Sequence, residues 1–324
     1  MNSVDVDITD CRYVVFSGGV GGAKLTLGLY LEQPGQELLV IGNVGDDFTH
    51  WGLHISPDLD TLMYTLAGVA DPDQGWGRAQ ESWTVLDTLS DLGGIDWFRL
   101  GDRDLAVHLE RSVRMGEGET LSTVTRRLCR AFGVTATLVP PTNDEVRTMV
   151  DTTDRTLSFQ EYFVRERCEP PVTGLRYQGA SQAILLPEIG QLLAGDGLKV
   201  VILSPSNPYL SLDPILEIAD LRHRLAASPA PVVAVSPLIQ SHAFKGPTAK
   251  IMMELGFAVS TLTVAQHYSD ILDGIVIDPA DRELSGAIAN LGIKVRITDT
   301  DMANEEDKRR LAAEVISFSD TIDG

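Results

Sequence analysis

Short, continuous apolar runs bounded by turn residues recur along the chain: Tyr13 to Phe16, Leu38 to Ile41, Ala136 to Val139, Val200 to Leu203, Val232 to Val235, Gly274 to Ile277 and Val295 to Ile297. Continuous rather than alternating runs predict strands buried on both faces, as in a parallel sheet. Between them, apolar positions fall at helical spacing over Leu59 to Leu66, Leu121 to Phe132, Pro214 to Leu225, Thr248 to Leu255, Arg282 to Leu291 and Lys308 to Phe318. Strand then helix, repeated, predicts an α/β, Rossmann-like, doubly wound fold with a mostly parallel sheet, forming a single domain over 1–324. The rhythm breaks between about residues 140 and 180, where Pro140-Pro141, Pro170-Pro171 and an aromatic, charged segment around Phe159 to Arg167 predict an inserted smaller subdomain or lid.

Ligands of such a fold bind outside the carboxyl ends of the strands, so the chemistry is expected in the loops there. The first of these reads Ser17-Gly18-Gly19-Val20-Gly21-Gly22-Ala23-Lys24. Glycines let amides approach an anion, a helix N-terminus adds partial positive charge and lysine a full one, so Gly18, Gly19, Gly21, Gly22 and Lys24 predict a phosphate-binding turn. Its form is neither a Walker A loop, since Ala23 and Leu25 flank Lys24, nor a dinucleotide fingerprint, since Lys24 stands where the third glycine belongs.

The next loop brings four carboxylates within fifteen residues: Asp46, Asp47, Asp58 and Asp60. Carboxylates crowded beside phosphate predict a hard cation such as Mg²⁺, with Asp46, Asp47 and Asp60 as ligands and one carboxylate available as a base. Asp58, just after Pro57 at a helix start, reads instead as a cap. His50 and His54 read as polar loop residues, and Arg99 to Asp104 as a turn rich in ion pairs. Later loops offer Ser206-Asn207, Ser236, and a second helix-opening anion site at Lys245-Gly246-Pro247-Thr248 with Lys250.

Charge sharpens this picture. The 46 acidic against 26 basic side chains leave a net charge of −20, which argues against nucleic acid or an anionic membrane surface as partner. An anionic small ligand therefore needs a locally basic or metal-filled pocket. Three widely spaced cysteines without a Cys-x-x-Cys pair, and no apolar stretch of membrane-spanning length, predict a cytoplasmic protein.

Taken in order, Phe-Ser-Gly-Gly-x-Gly-Gly-x-Lys, Asn-Val-Gly-Asp-Asp, Ser-Pro-Asp-Leu-Asp-Thr, Leu-Gly-Asp-Arg-Asp, Pro-Ser-Asn-Pro, Val-Ser-Pro-Leu-Ile and Lys-Gly-Pro-x-x-Lys resemble the 2-phospho-L-lactate transferase family of coenzyme F-420 biosynthesis. The motifs run from Phe16 to Lys250, and the terminal elements fit as well. The resemblance implies a Mg²⁺-dependent enzyme that takes the phospho-acid portion of a guanosine-diphospho-linked three-carbon acid, transfers it to the terminal ribityl hydroxyl of the deazaflavin Fo, and releases GMP. The acid is 2-phospho-L-lactate, phosphoenolpyruvate or 3-phosphoglycerate. It further implies that Asp60 and Arg99 contact Fo, that Gly18 to Lys24 hold the diphosphate, that Ser204 to Asn207 and Ser236 to Lys250 embrace the guanosine side, and that the chain forms a homodimer. A rival resemblance, to nucleotide-sugar-binding regulatory proteins of the gluconeogenesis-factor type, shares the glycine loop and Asp-Asp pair. Those proteins continue Asp-Asp-Gly-Gly-Ser-x-Gly, whereas Asp46-Asp47 is followed here by Phe48-Thr49-His50-Trp51.

Overall fold

Seven short strands, nearly all of them apolar throughout, pair side by side in one direction and form the centre of the molecule. The computed structural model describes residues 8–240, the backbone of 242–243, and 247–322. In chain order, the first half comprises β1 (Tyr13–Ser17), α1 (Gly19–Glu32), β2 (Leu38–Gly42), β3 (Phe48–His50), β4 (Leu53–Ile55), α2 (Pro57–Leu66), α3 (Thr84–Asp91), α4 (Asp102–Gly116), α5 (Leu121–Ala131) and β5 (Thr137–Val139). A separate antiparallel sheet follows, from β6 (Arg147–Thr152), β7 (Thr156–Ser158) and β8 (Val172–Gln178), in the order β7-β6-β8. The second half adds α6 (Pro187–Ala194), β9 (Val200–Leu203), α7 (Asp213–Leu216), α8 (Leu221–Ala226), β10 (Val232–Val235), the short pair β11 (Leu238–Ile239) and β12 (His242–Ala243), α9 (Thr248–Glu254), α10 (Thr261–His267), β13 (Gly274–Ile277), α11 (Ser285–Ala289), β14 (Lys294–Ile297) and α12 (Glu305–Ser319).

The main sheet runs β14-β13-β10-β9-β1-β2-β5, all parallel. Chain progression reverses between β1 and β9, so the topological switch point, and with it the expected ligand crevice, lies beyond their carboxyl ends. The inner strands β1, β2, β9, β10 and β13 are buried at every residue, which explains their unbroken apolar runs, while edge strand β14 leaves Lys294 exposed and Val295 to Ile297 half-buried. Helix α1 packs closely on α12: a methyl group at Gly28 would collide with the carbonyl of Lys308. Asn304 opens α12 with a capping box completed by Asp307.

Helix boundaries differ from the pattern in several places; over 282–291, for example, a 3-10 turn ending at Leu284 leads into α11. The 214–225 segment breaks into α7 and α8, and Asp102, Arg103 and Asp104 form not a turn but the first turn of α4, a helix of 15 residues. Acidic side chains beside the N-terminal dipole suit that position. Among the described residues no helix is long and apolar enough to cross a membrane.

Candidate active site at the sheet switch point

A cavity of about 850 Å³ opens where the topology places a ligand crevice. Its floor is the start of α1, with Gly18, Gly19, Val20, Gly21 and Lys24, set against Pro205, Ser206 and Asn207 from the loop after β9. Hydrogen bonds hold the two loops together: Ser206 Oγ donates to the Gly18 carbonyl at 2.6 Å, and the Gly18 amide lies 3.2 Å from the same hydroxyl. Packing accounts for two of the four glycines. A Cβ at Gly21 would stand 2.7 Å from the Pro205 carbonyl oxygen, and one at Gly22 would stand 2.7 Å from Ser204 Oγ and closer still to Ser17 and Ser206. Gly22 is thus a packing residue outside the cavity lining, a correction to its expected phosphate role. Gly19, with φ of +63° and only Ser211 Oγ, at 3.8 Å, near the place of a Cβ, is the position where the glycine conformation rather than packing matters at the cavity.

The carboxylates divide in a way the sequence did not anticipate. Asp46 lines the cavity, is 6% exposed, and its Oδ1 has no hydrogen-bond partner among the described residues. Asp58 also lines the cavity, accepting from the Gly19 amide at 2.9 Å and from Asn43 Nδ2 at 2.9 Å. The expected capping role of Asp58 is therefore corrected: Ser56 holds the cap position, and Asp58 reaches across to the positive end of α1. Burial, with the nearby Asp58 charge next in weight, holds the Asp46 carboxyl well above the usual carboxylate range. Burial also pushes Asp58 up to about 6, against the two hydrogen bonds that favour its charged form.

Asp47 is turned away from the cavity lining. Its Oδ2 accepts from Ser56 Oγ at 2.8 Å and lies 3.0 Å from His54 Nε2, so it buttresses the loop. Asp60 is further removed, because residues two apart on a helix do not share a face. Its carboxylate is gripped by both terminal nitrogens of Arg111 on α4, at the wall of a smaller chamber. Among the described residues, the only trio of potential ligand atoms close enough for one metal is Asp60, Asp104 and His108. The expected set Asp46, Asp47 and Asp60 does not assemble, and the carboxylates that line the cavity are Asp46 and Asp58 together with Asp301.

Lys24 lines the cavity, its ammonium donating to the Met302 carbonyl at 2.9 Å. Asn207 lines it as well, its Oδ1 capping the turn at Tyr209 and Leu210 and its Nδ2 donating to Thr248 Oγ1. Two other expected anion ligands are engaged elsewhere. Ser236 Oγ donates to the Leu238 carbonyl and pairs with Thr261, and only its neighbour Pro237 reaches the cavity. Lys250 donates to Glu254, the Tyr162 hydroxyl and the Pro170 carbonyl, tying α9 to the segment between β7 and β8. Lys245 and Gly246 lie outside the described residues.

Aromatic side chains also line the cavity. Trp76, Trp97 and Phe98 contribute one part, and Phe159 and Phe163, stacked with centroids 5.3 Å apart, contribute another from the segment carrying the antiparallel sheet. Arg99 lies at the same wall with its guanidinium 4.4 Å from the centre of the Trp83 ring. The cavity therefore combines groups that suit an anion and a cation with aromatic surface that suits a flat ring. The model of the family described as 2-phospho-L-lactate transferase CofD matches residues 13–316, from the first residue of β1 into the last helix.

The chain belongs to the 2-phospho-L-lactate transferase family. Its relatives in that family include the phosphoenolpyruvate transferase of Kitasatospora aureofaciens, 37% identical over 96% of this chain and 98% of the relative. The phosphoenolpyruvate transferase of Thermobifida fusca is 38% identical over 95% and 98%, and the 2-phospho-L-lactate transferase of Methanosarcina mazei 35% identical over 94% and 99%. A solved structure of a UPF0052-family protein from Bacillus halodurans superimposes with a TM-score of 0.58 over 95% of this chain and 99% of that one, at 13% identity, a likeness of fold alone. The cavity of this transferase-family chain thus sits where a Rossmann-like sheet binds its ligands, and the motifs at Gly18, Asp46, Asp58 and Ser206 converge on it.

Proposed function

We propose that this chain transfers the phospho-acid unit of a guanosine-diphospho-linked three-carbon acid to the terminal ribityl hydroxyl of the deazaflavin Fo, with Mg²⁺ as cofactor. The observation that carries this reading is one cavity lined by two chemically distinct sets of groups: the α1 N-terminus, Lys24 and the carboxylates Asp46 and Asp58, and the aromatic rings of Trp76, Trp97, Phe98, Phe159 and Phe163. The relatives' names, phosphoenolpyruvate transferase and 2-phospho-L-lactate transferase, agree with it. In the transfer the acceptor hydroxyl oxygen bonds to the phosphorus that carries the acid, the bond from that phosphorus to the GMP oxygen breaks, and the hydroxyl proton is released.

The donor set fits a divalent cation. Asp46 presents a buried carboxylate oxygen without a partner, beside a second carboxylate whose charge disfavours its own, and Mg²⁺ is commonly held by one or two carboxylates plus substrate phosphate oxygens. Asp46 and Asp58 would hold it, and when bound it supplies neutralisation of the diphosphate and of the departing phosphate. The chain's own groups do the rest. Lys24 and the start of α1 bind the diphosphate, and the aromatic walls orient the acceptor ring and keep water, a competing nucleophile, from the reacting phosphorus. The same reading includes a homodimer.

Purified protein given Fo, Mg²⁺ and, in turn, donors made from the three candidate acids is expected to release GMP with at least one of them, and the product mass names the acid. Absence of GMP from all three overturns the reading. A pH dependence follows from Asp58. A carboxyl with its pKa raised to about 6 must lose its proton before it can bind a cation, so Mg²⁺ affinity is expected to weaken as pH falls through 6 and binding there to release protons. Calorimetric titration at pH 5, 6 and 8, in buffers of differing ionisation enthalpy, checks this; an affinity constant over that range contradicts the assignment.

A further inference from the structure

Between β7 and β8 the chain makes a single π-helical turn, Glu161–Arg165, and Phe159, Gln160, Phe163 and Val164, from this turn and its approach, line the main cavity. Isolated turns of this kind are rare and are frequent at functional sites. This one is held on several sides. Glu161 Oε2 accepts from the Ser158 amide at 3.2 Å and from its hydroxyl at 2.9 Å, and the Tyr162 carbonyl accepts from the Cys168 amide at 2.9 Å. Lys250, which donates to the Tyr162 hydroxyl at 3.1 Å, ties the turn to α9, whose first residue, Thr248, lines the same cavity.

Gln160 is the polar member of this group. It is 5% exposed, its side chain does not cap the turn it precedes, and its carboxamide makes no hydrogen bond among the described residues. What little of it stays accessible opens on the cavity. A carboxamide carries two N–H donors and an acceptor oxygen, and buried groups of this kind are nearly always paired. With no partner supplied by the chain, the pairing falls to the occupant of the cavity.

The neighbours narrow what that occupant presents. Phe159 and Phe163 are stacked rings and Val164 is aliphatic, so the carboxamide belongs to a lining that is otherwise apolar and suited to a flat body. A phosphate would satisfy the N–H groups and leave the carbonyl oxygen facing an anion, and a lone hydroxyl would engage one end at a time. A lactam edge, in which a ring N–H stands beside a ring C=O, satisfies both ends at once through two antiparallel hydrogen bonds. We propose that Gln160 is a specificity-determining residue of the cavity, its carboxamide pairing with the lactam edge of a planar heterocycle. This rests on the transferase reading given under Proposed function, in which two rings carry such an edge: the guanine of the donor and the pyrimidinedione of the deazaflavin.

The test measures binding to the parent and to Gln160→Leu, with Mg²⁺ present, for GDP and its N1-methylguanine form by calorimetry and for Fo and its N3-methyl form by fluorescence. Methylation removes the ring N–H. For one of the two rings the parent is expected to bind the methylated form about tenfold or more weakly, the loss that follows from breaking one or two neutral hydrogen bonds. Gln160→Leu is expected to bind the unmethylated form of that ring as weakly and to discriminate no longer, with affinity for the other ring unchanged; which ring responds names the source of the edge. Its melting temperature without ligand is expected to be equal or higher, because a buried unpaired amide is removed, an effect opposite to that of losing a structural contact. A parent indifferent to both methylations, or a Leu variant that still discriminates, overturns the proposal. Should the variant not fold, the side-chain amide resonances of Gln160 in the parent decide: a shift with an unmethylated ring and none with its methylated form supports the pairing, and equal responses overturn it. Failure of the parent to bind either GDP or Fo would count against the transferase reading itself, and the assignment of Gln160 would fall with it.

Discussion

Replacing Asp46 with Asn is expected to make the metal-free protein more stable while lowering Mg²⁺-dependent turnover by about 10² to 10³-fold, the range seen when one preorganised electrostatic group is removed from a reacting site. Both halves have one cause. Asp46 is buried beside Asp58 with one carboxylate oxygen unpaired, and its burial and the Asp58 charge hold its pKa high. A group that binds its proton more tightly folded than unfolded lowers stability as pH rises above its unfolded pKa, because the folded state must then give up a proton it favours. Asn removes that penalty. Thermal melts in chelator should show a gain for Asp46→Asn that is larger at pH 8 than at pH 5. Saturating Mg²⁺ should raise the melting temperature of the parent and leave that of the variant nearly unmoved. A variant that keeps parental turnover at limiting Mg²⁺ would remove Asp46 from the site.

The second large effect is expected at Arg111. Burial opposes its charge, but the Asp60 carboxylate more than compensates and holds the guanidinium more firmly protonated than usual. Arg111→Met removes the guanidinium that grips Asp60 through both terminal nitrogens, leaving two buried carboxylates, Asp60 and Asp104, near one another. Breaking a buried pair from one side costs about 3 to 5 kcal/mol, because the surviving charge is left without compensation. Denaturant unfolding should show that loss, and a second change, Asp60→Asn, should recover part of it, since it removes the stranded charge. A loss below about 1 kcal/mol for Arg111→Met would mean that the pair is solvated and that the chamber is not closed.

The sheet was legible because strands buried on both faces leave an unbroken apolar record: Val200 to Leu203, Val232 to Val235 and Gly274 to Ile277 were bounded to the residue. The crevice was legible for the same reason, since strand ends determine where loops converge. What the pattern concealed were roles set by distant partners. Asp58 looked like a local cap, yet its partner is an amide 39 positions earlier. Asp60 looked like its companion, yet two residues along a helix is enough to turn a side chain to another neighbour, here Arg111 51 positions later. Lys250 looked like a phosphate ligand, but Tyr162 and Pro170 lie far from it in sequence and were invisible to a local reading. The missed residues did leave a signal. Asp104, His108 and Arg111 fall at i, i+4 and i+7, one face of a helix, but the charges of Asp102-Arg103-Asp104 made its start resemble an exposed turn.

The hydrogen bond from Lys24 to the carbonyl of Met302 joins positions 278 residues apart, and the loop holding Gly18 to Ser206 closes over 188. During synthesis the glycine loop leaves the ribosome well before the loop of Asp301 and Met302 that completes its cavity. Until that loop arrives the cavity is incomplete, so a ligand of the cavity cannot rescue a nascent chain by binding it early. Parallel sheets with such distant pairings also form slowly. The edge of β1 that pairs with β9 must therefore wait unpaired, and in that interval repulsion among the acidic side chains, rather than ligand, opposes association of partly made chains.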